Sequence, residues 1–146
     1  NYRISEIASS LGRTQLKKLD KNNEIRKKIV EKYQRRLGKT ENIRLPFLKH
    51  EGVSAYHIFP LLLNGYPREK FMDDLKARGV QTSIHYRPIH KFSYYTELFR
   101  QKIRLPKTEF VGEHEVTLPL HPLLSDEDIR YVTDAVEGVL SGNPLG

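Results

Sequence analysis

The sequence predicts an α/β fold with α+β character, in which a small sheet is covered by helices on at least one face. Three patterns predict it. Apolar residues recur at helical spacing over residues 1–40, a stretch rich in strand-forming residues follows, and a capped amphipathic segment closes the chain. With 146 residues, the chain is long enough for one ordinary domain with a sizeable core.

The first part of the chain is predicted to form two long helices. The apolar stripe of the first helix, over 5–19, is Ile4, Ile7, Ala8 and Leu11. Asn22 or Asn23 is expected to cap a second helix that stops at Gly38. We therefore predict a helical connector over 1–40, a compact α/β domain over 41–140 and a frayed tail over 141–146.

The middle of the chain is predicted to form a β-α-β unit. Residues 53–63 read as a strand, and Pro60 predicts that this strand lies at an edge or carries a bulge, because proline cannot donate a ladder hydrogen bond. A helix is expected after Pro67 and should end at Gly79. Residues 80–84 are expected to form a second short strand.

The last third is predicted to hold small helices, one strand and a closing helix. The small helices are expected over 94–99 and 106–115, and the strand over 116–120. Ser125 and the acidic residues after it are typical of a capped helix start. The closing helix should face the core with Ile129, Val132 and Val136.

Composition narrows the classes of function. The net charge of +7 and the isoelectric point of about 9.6 suit a polyanionic partner, although the basic run over 13–39 is also typical of a solvated helix face. The absence of cysteine excludes disulfides and thiolate chemistry. No apolar run approaches the roughly 20 residues that cross a bilayer, so we expect no membrane partner, and the lack of cysteine fits a cytoplasmic protein. Because it begins at Asn1, we expect a piece of a longer protein.

The segment over 82–90, TSIHYRPIH, is the main candidate site. His85 and His90 lack the spacing of a helical metal pair, and Pro88 excludes a helix between them, so we predict no metal site. Ser83 beside His85 lacks the context of a serine nucleophile. The residues alone leave two interpretations open: a loop that binds an anionic ligand, or a turn whose polar side chains satisfy the backbone.

Several different short motifs follow one another along the chain. They are Asn1-Tyr2-Arg3-Ile4-Ser5-Glu6-Ile7, Leu11-Gly12, Gln15-Leu16, Tyr56-His57-Ile58-Phe59, Arg78-Gly79-Val80, His85-Tyr86-Arg87-Pro88-Ile89-His90, Leu105-Pro106, LPLHP over 118–122 and LSDED over 124–128. Together they resemble the DegT/DnrJ/EryC1/StrS family of sugar aminotransferases. The resemblance covers the chain to about Leu140.

The resemblance implies a fold-type I aminotransferase that depends on pyridoxal 5'-phosphate (PLP). It implies that this chain is the C-terminal small domain with the connector helices before it, in a homodimer whose active site lies at the subunit interface. The reaction implied is transfer of an amino group, with glutamate as the expected donor, to a nucleotide-linked keto sugar.

The resemblance also implies roles for individual residues. Asn1 matches the residue that reaches the cofactor phosphate, and Arg3 matches a residue close to the nucleotide sugar. His85 and Tyr86 match a pair that reaches across the dimer toward substrate. Arg87 and His90 are expected near the substrate with a looser role.

The catalytic centre is expected outside this chain. In the family, the Schiff-base lysine and the aspartate that pairs with the cofactor's pyridine nitrogen lie upstream of the asparagine motif, so no catalytic residue is assigned here. A stand-alone binding or dimerisation module is the alternative. A basic nucleic-acid-binding domain is a further one, for which charge alone argues and no recognition motif is present.

Overall fold

The computed structural model describes residues 2–49, 51–99 and 103–142. Its elements, in chain order, are α1 (Glu6–Leu37), β1 (Ile43–Arg44), β2 (Phe59–Leu63), α2 (Arg68–Ala77), a 3₁₀ turn (Ile89–Lys91), α3 (Ser93–Phe99), α4 (Pro106–His114), β3 (Glu115–Leu118) and α5 (Asp126–Leu140). Helices and a small antiparallel sheet form the predicted α/β fold with α+β character, which confirms the fold class.

The two predicted N-terminal helices are one continuous helix, α1, so the predicted break near Asn22 is wrong. Ser5 caps the helix by accepting a hydrogen bond of 3.3 Å from the backbone N–H of Ala8. The side chain of Asn23 accepts a hydrogen bond from the guanidinium of Arg26 and caps no backbone group of a new helix. Because neither glycine nor proline occurs over 13–37, the backbone ladder continues through both asparagines.

Only the second half of α1 packs against the rest of the described chain. Its buried residues are Ile29, Val30, Tyr33 and Leu37. The hydroxyl of Tyr33 donates a hydrogen bond of 2.9 Å to the carbonyl of Pro119, and burial raises the pKa of this phenol above its usual value. The basic residues of α1 are largely exposed, as predicted, and two of them, Lys32 and Arg36, form ion pairs with α5.

The three strands form an antiparallel sheet in the order β1-β2-β3. One face of the sheet belongs to the hydrophobic core, together with α1, α2 and α5; its residues are Phe59, Leu61, Leu63, Val116 and Leu118. Since side chains alternate along a strand, the opposite face carries Pro60 and Leu62 beside Thr117 and Glu115. The sheet therefore has one apolar face and one face with buried polar groups.

Pro60 lies in the central strand, not at an edge and not at a bulge. Thr117 exchanges both of its backbone hydrogen bonds with Ser83, at 2.8 and 3.2 Å, so the Pro60–Thr117 pair is a non-hydrogen-bonded pair. The nitrogen of Pro60 thus points away from β3, toward the side where β1 would lie. Because β1 reaches only to Leu62, no strand on that side needs a donor from Pro60.

The remaining elements differ from the predictions mainly in length. The predicted strand over 53–63 is present only over Phe59–Leu63, and the predicted strand over 80–84 is reduced to a single bridge between Ser83 and Thr117. The predicted helices of the last third and the Ser125 cap are confirmed, and the closing helix begins with a capping box. Among the described helices, none has the length and hydropathy needed to cross a membrane.

Candidate functional site

The segment over 85–90 is held against α4 by three neighbouring residues of that helix. Pro88 is buried beside Gly112: a Cβ atom placed on Gly112 would lie 2.4 Å from Cγ and Cδ of Pro88. One turn earlier on α4, Glu109 bonds to His90, and just after Gly112, Glu113 pairs with Lys91 at 2.5 Å. Helix α4 therefore fixes the second half of the segment.

His90 is the more enclosed of the two histidines. Its side chain is 9% exposed, and its Nε2 lies 3.1 Å from Oε1 of Glu109. The backbone N–H of Leu105 donates to the same oxygen at 2.8 Å, and this bond together with His90 holds the pKa of Glu109 below its usual value. These contacts give His90 a role in anchoring the segment to α4.

His85 is held by the polar face of β3. Its backbone N–H donates to Oε2 of Glu115 at 2.7 Å, and its ring Nδ1 lies 2.9 Å from Oγ1 of Thr117. The hydroxyl of Thr117 in turn donates to Oε1 of Glu115. Glu115 and Thr117 are only 4% and 5% exposed, so both the backbone and the ring of His85 rest on buried partners.

Tyr86 and Arg87 project outward from this anchored segment. Tyr86 is 76% exposed, and its ring meets that of His85 edge to face with centroids 4.7 Å apart. The guanidinium of Arg87 lies 5.5 Å from the centre of the Phe92 ring and donates to the carbonyl of Lys91 at 3.2 Å. A phenol and a guanidinium are thus presented to solvent by a backbone fixed at both ends.

Two open clefts border the segment. One, of about 380 Å³, is lined by His57, Thr82, Ser83, His85 and Thr117 among others. The other, of about 780 Å³, includes Arg87, His90, Arg104 and Glu109. The first cleft offers imidazole and hydroxyl groups, whereas two guanidinium groups make the second one cationic, which suits an anionic group.

Of the two N-terminal candidates, the structure describes only Arg3. Asn1 lies outside the described residues. Arg3 lies before α1, whose first half is exposed, and a rise of about 1.5 Å per residue puts Glu6 about 28 Å along the helix axis from Ile25, where packing on the core begins. Within this chain, the cluster therefore consists of His85, Tyr86, Arg87 and His90.

The residues that position the two histidines were not predicted from the sequence. Glu115 and Thr117 alternate with Val116 and Leu118 in a strand, and that pattern could have indicated a polar face of the sheet. The partnership between Glu109 and His90 had no such signal, since it depends on how α4 packs against the segment.

The sequence model of the DegT/DnrJ/EryC1/StrS aminotransferase family matches residues 1–137. The chain belongs to this family. A relative from Campylobacter jejuni, UDP-4-amino-4,6-dideoxy-N-acetyl-beta-L-altrosamine transaminase, is 32% identical over 96% of the chain. The chain spans 38% of the length of that relative.

Solved structures of aminotransferases share the fold. Helicobacter pylori PseC, an aminotransferase involved in the biosynthesis of pseudoaminic acid, superposes with a TM-score of 0.90 at 26% identity, over 97% of this chain and 39% of PseC. The aminotransferase TlmJ from Streptoalloteichus hindustanus gives 0.85 at 31% identity, over 93% of this chain and 36% of TlmJ. Spr1654 from Streptococcus pneumoniae, solved in its PMP form, gives 0.87 at 28% identity, over 96% of this chain and 36% of Spr1654. The chain therefore has the fold of a part of these family members.

The cluster around His85 does not by itself fit the PLP cofactor. A PLP site needs a lysine for the Schiff base, and Lys91, the lysine beside the cluster, is paired with Glu113. No group of three or more potential metal ligands occurs in the described part of the chain. The cluster offers imidazole, phenol and guanidinium groups for hydrogen bonding, and no step through the cofactor follows from it.

Proposed function

We propose that this chain is the substrate-facing part of a PLP-dependent aminotransferase that acts on a nucleotide-linked keto sugar. Membership of the aminotransferase family supports the reaction class. The observation that carries the assignment of the site is the segment over 85–90, which α4 and β3 hold at both ends while Tyr86 and Arg87 project outward.

Each residue of the cluster would contact a different part of the substrate. The guanidinium of Arg87 suits the diphosphate that joins sugar and nucleotide, since it presents a planar fork of donors. The ring of Tyr86 offers an aromatic surface with a hydroxyl at its end. We assign His85 to the sugar, His90 to holding the segment near substrate, Arg3 to the nucleotide side and Asn1 to the cofactor phosphate.

The proposal places PLP and its lysine in parts of the protein outside this chain. PLP would supply the electron sink for the transfer of the amino group, and glutamate is the proposed donor. The C. jejuni relative, a transaminase of a UDP-linked amino sugar, supports the proposed sugar class. Connector and compact domain would meet near residue 40.

We further propose a cytoplasmic homodimer with the site at the subunit interface. Large apolar side chains stay exposed around the cluster, among them Tyr86, Ile89, Tyr94 and Leu98. Exposed apolar groups of this density are typical of a protein–protein contact, and a second subunit would cover them. The exposed fractions of these four side chains are those of the single chain, and they would fall when a second subunit covers them.

The full-length protein that contains this chain tests the proposal. The protein is loaded with PLP and given UDP-4-amino-4,6-dideoxy-N-acetyl-β-L-altrosamine, and the absorbance of the cofactor is followed. We expect the absorbance of the aldehyde form to disappear with this amino sugar and to return when 2-oxoglutarate is added. A cofactor spectrum unchanged by both this sugar and L-glutamate would contradict the proposal.

Two variants test whether the cluster, rather than any exposed histidine, contributes to the reaction. His85→Gln should slow the reaction with the amino sugar by at least tenfold, on the scale of a lost substrate contact of about 1.4 kcal/mol. His121→Gln, which changes an exposed histidine outside the cluster, is the matched control and should react at the normal rate. Equal rates for the two variants would argue against the assignment of His85.

A further inference from the structure

We propose that Glu115 and Thr117 are positioning residues that fix His85 as the tautomer protonated at Nδ1, so that its Nε2 accepts a hydrogen bond from a hydroxyl group of the sugar. The part about the sugar rests on the proposed function. The part about the tautomer rests on this chain alone. In this proposal the carboxylate of Glu115 and the hydroxyl of Thr117 act through the ring of His85.

The tautomer follows from counting the protons in the network. The hydroxyl of Thr117 has one proton, and it donates this proton to Oε1 of Glu115. Toward the ring of His85, Oγ1 of Thr117 therefore offers only a lone pair. Since Nδ1 of His85 lies 2.9 Å from that oxygen, the ring must carry its proton on Nδ1.

The direction of the network depends on an ionised Glu115. Each oxygen of this carboxyl group faces a donor: Oε2 accepts from the backbone N–H of His85 at 2.7 Å, and Oε1 accepts from Thr117. Both contacts are those of a carboxylate, which is an acceptor only. A protonated Glu115 would instead donate to Thr117, which would then donate to His85 and leave the proton on Nε2. The two directions therefore predict opposite tautomers.

The partners are rigid enough to hold this arrangement. Glu115 and Thr117 lie on β3, are nearly fully buried, and share the sheet face opposite the hydrophobic core. The backbone bridge between Thr117 and Ser83 fixes the chain two residues before His85. Free histidine favours the proton on Nε2, so the network reverses the ordinary preference of the ring.

The consequence concerns which part of a substrate His85 recognises. Within the part of the chain that the structure describes, Nε2 of His85 has no hydrogen-bond partner, and the ring borders the cleft of about 380 Å³. A neutral ring with its proton on Nδ1 presents a lone pair at Nε2. Phosphate oxygens are acceptors and cannot bond to it, whereas a sugar hydroxyl donates. His85 thus selects for a hydroxyl, and the cationic cleft with Arg87 is left for the phosphates.

The tautomer is tested by NMR of the full-length protein with ¹⁵N-labelled histidine rings. Long-range ¹H–¹⁵N spectra at about pH 8, where imidazole is neutral, distinguish the protonated ring nitrogen from the unprotonated one, and the loss of one signal set in His85→Gln assigns the residue. We expect the proton on Nδ1 in the natural protein and in Thr117→Ser. In Thr117→Val the population should shift toward Nε2. A wild-type ring protonated on Nε2, or an unchanged tautomer in Thr117→Val, would overturn the proposal.

A matched control separates positioning from stability. Thr133→Val makes the same change at a fully buried threonine of α5, whose hydroxyl donates to the carbonyl of Ile129 at 3.0 Å, far along the chain from His85. This variant should keep the tautomer and the rate. Thr117→Val should lower kcat/KM for the UDP-linked amino sugar about tenfold, and Thr117→Ser should restore it.

The outcomes keep the two proposals apart. The expected tautomers together with no reaction of the wild-type protein with the amino sugar would overturn the proposed function and the role of the hydroxyl, while the positioning of His85 would stand. Normal reaction of the wild-type protein together with an unchanged tautomer in Thr117→Val would leave the proposed function standing and overturn the inference.

Discussion

At the scale of single residues, Gly112 is a point of close approach between α4 and the candidate site. The space that a Cβ atom would need at this position is occupied by the ring of Pro88, a rigid group whose own backbone nitrogen is 3.7 Å away. A glycine inside a helix costs about 0.5–1 kcal/mol relative to alanine. That cost is offset here because α4 can approach Pro88 closely enough for Glu109 and Glu113 to reach the segment.

Gly112→Ala should therefore destabilise the protein although alanine is the better helix former. A contact of 2.4 Å forces α4 and the segment apart, and overpacking of this kind costs about 1–3 kcal/mol. The free energy of unfolding in urea measures it. The matched control is Gly12→Ala on α1, where nothing lies within 4 Å of the added atom, and this variant should be unchanged or more stable by up to about 1 kcal/mol. Equal stability of the two variants would show that the ring of Pro88 can shift to make room for the added Cβ atom.

At the scale of elements, the two long helices begin in the same way but in different surroundings. Ser5 caps α1, and Ser125 caps α5, where the carboxylate of Asp128 also accepts from the backbone N–H of Ser125 at 2.8 Å. The first turns of α1 are exposed, whereas α5 buries Ile129 within its first turn and a half. A cap contributes to global stability only where its helix end is coupled to the core.

Ser125→Ala should lower the free energy of unfolding by about 1 kcal/mol, because the first turn of α5 loses its acceptor while Ile129 still has to be buried. Thermal and urea unfolding both report it. Ser5→Ala is the comparison: the same bond is lost from an exposed helix end, so the chain should fray locally with a smaller change in global stability. A larger effect at Ser5 than at Ser125 would mean that the first half of α1 is packed in the assembled protein.

At the scale of the whole molecule, carboxylates on the helices accept hydrogen bonds from side chains and backbone groups nearby. Five of them have a pKa below the usual value: Glu69, Asp74, Glu109, Asp126 and Asp128. For Asp126 the main cause is the hydrogen bond from Lys32, which joins α5 to α1, and for Glu109 it is the N–H of Leu105. The native state therefore binds fewer protons than the unfolded chain does in mild acid.

Stability should stay level between about pH 7 and about pH 5 and fall as the pH drops from there toward about 3. Unfolded carboxylates protonate near pH 4, and the native ones resist until lower pH, so the stabilisation present above the unfolded pKa is lost as the pH passes through the native values. Urea unfolding across this range measures it. Glu109→Gln should make the fall less steep, whereas Glu31→Gln, at an exposed position of α1, should leave it unchanged. Increasing stability toward pH 3 would contradict this account.

Local patterns explain how much of the fold could be predicted. The Ser125 cap, the stop before Gly79 and the helix after Leu105 depend on residues within one turn of each other, and all three are confirmed. The break in α1 was predicted from the cap preference of asparagine, but the packing of the second half on α5 and the uninterrupted ladder favour one helix. The prediction of a strand over 80–84 was wrong in extent, because this stretch pairs with β3 through a single bridge between Ser83 and Thr117.

The sequence by itself determined the family, the fold class and the segment that carries the candidate site, because motif order, capping and apolar spacing are properties of neighbouring residues. Only the tertiary structure decided what holds that segment. Glu115 and Thr117 lie thirty positions or so from His85 and meet it through the pairing of β3, while Glu109 meets His90 through the close approach of α4 at Gly112. Such contacts depend on strand register and helix packing, which local spacing does not encode.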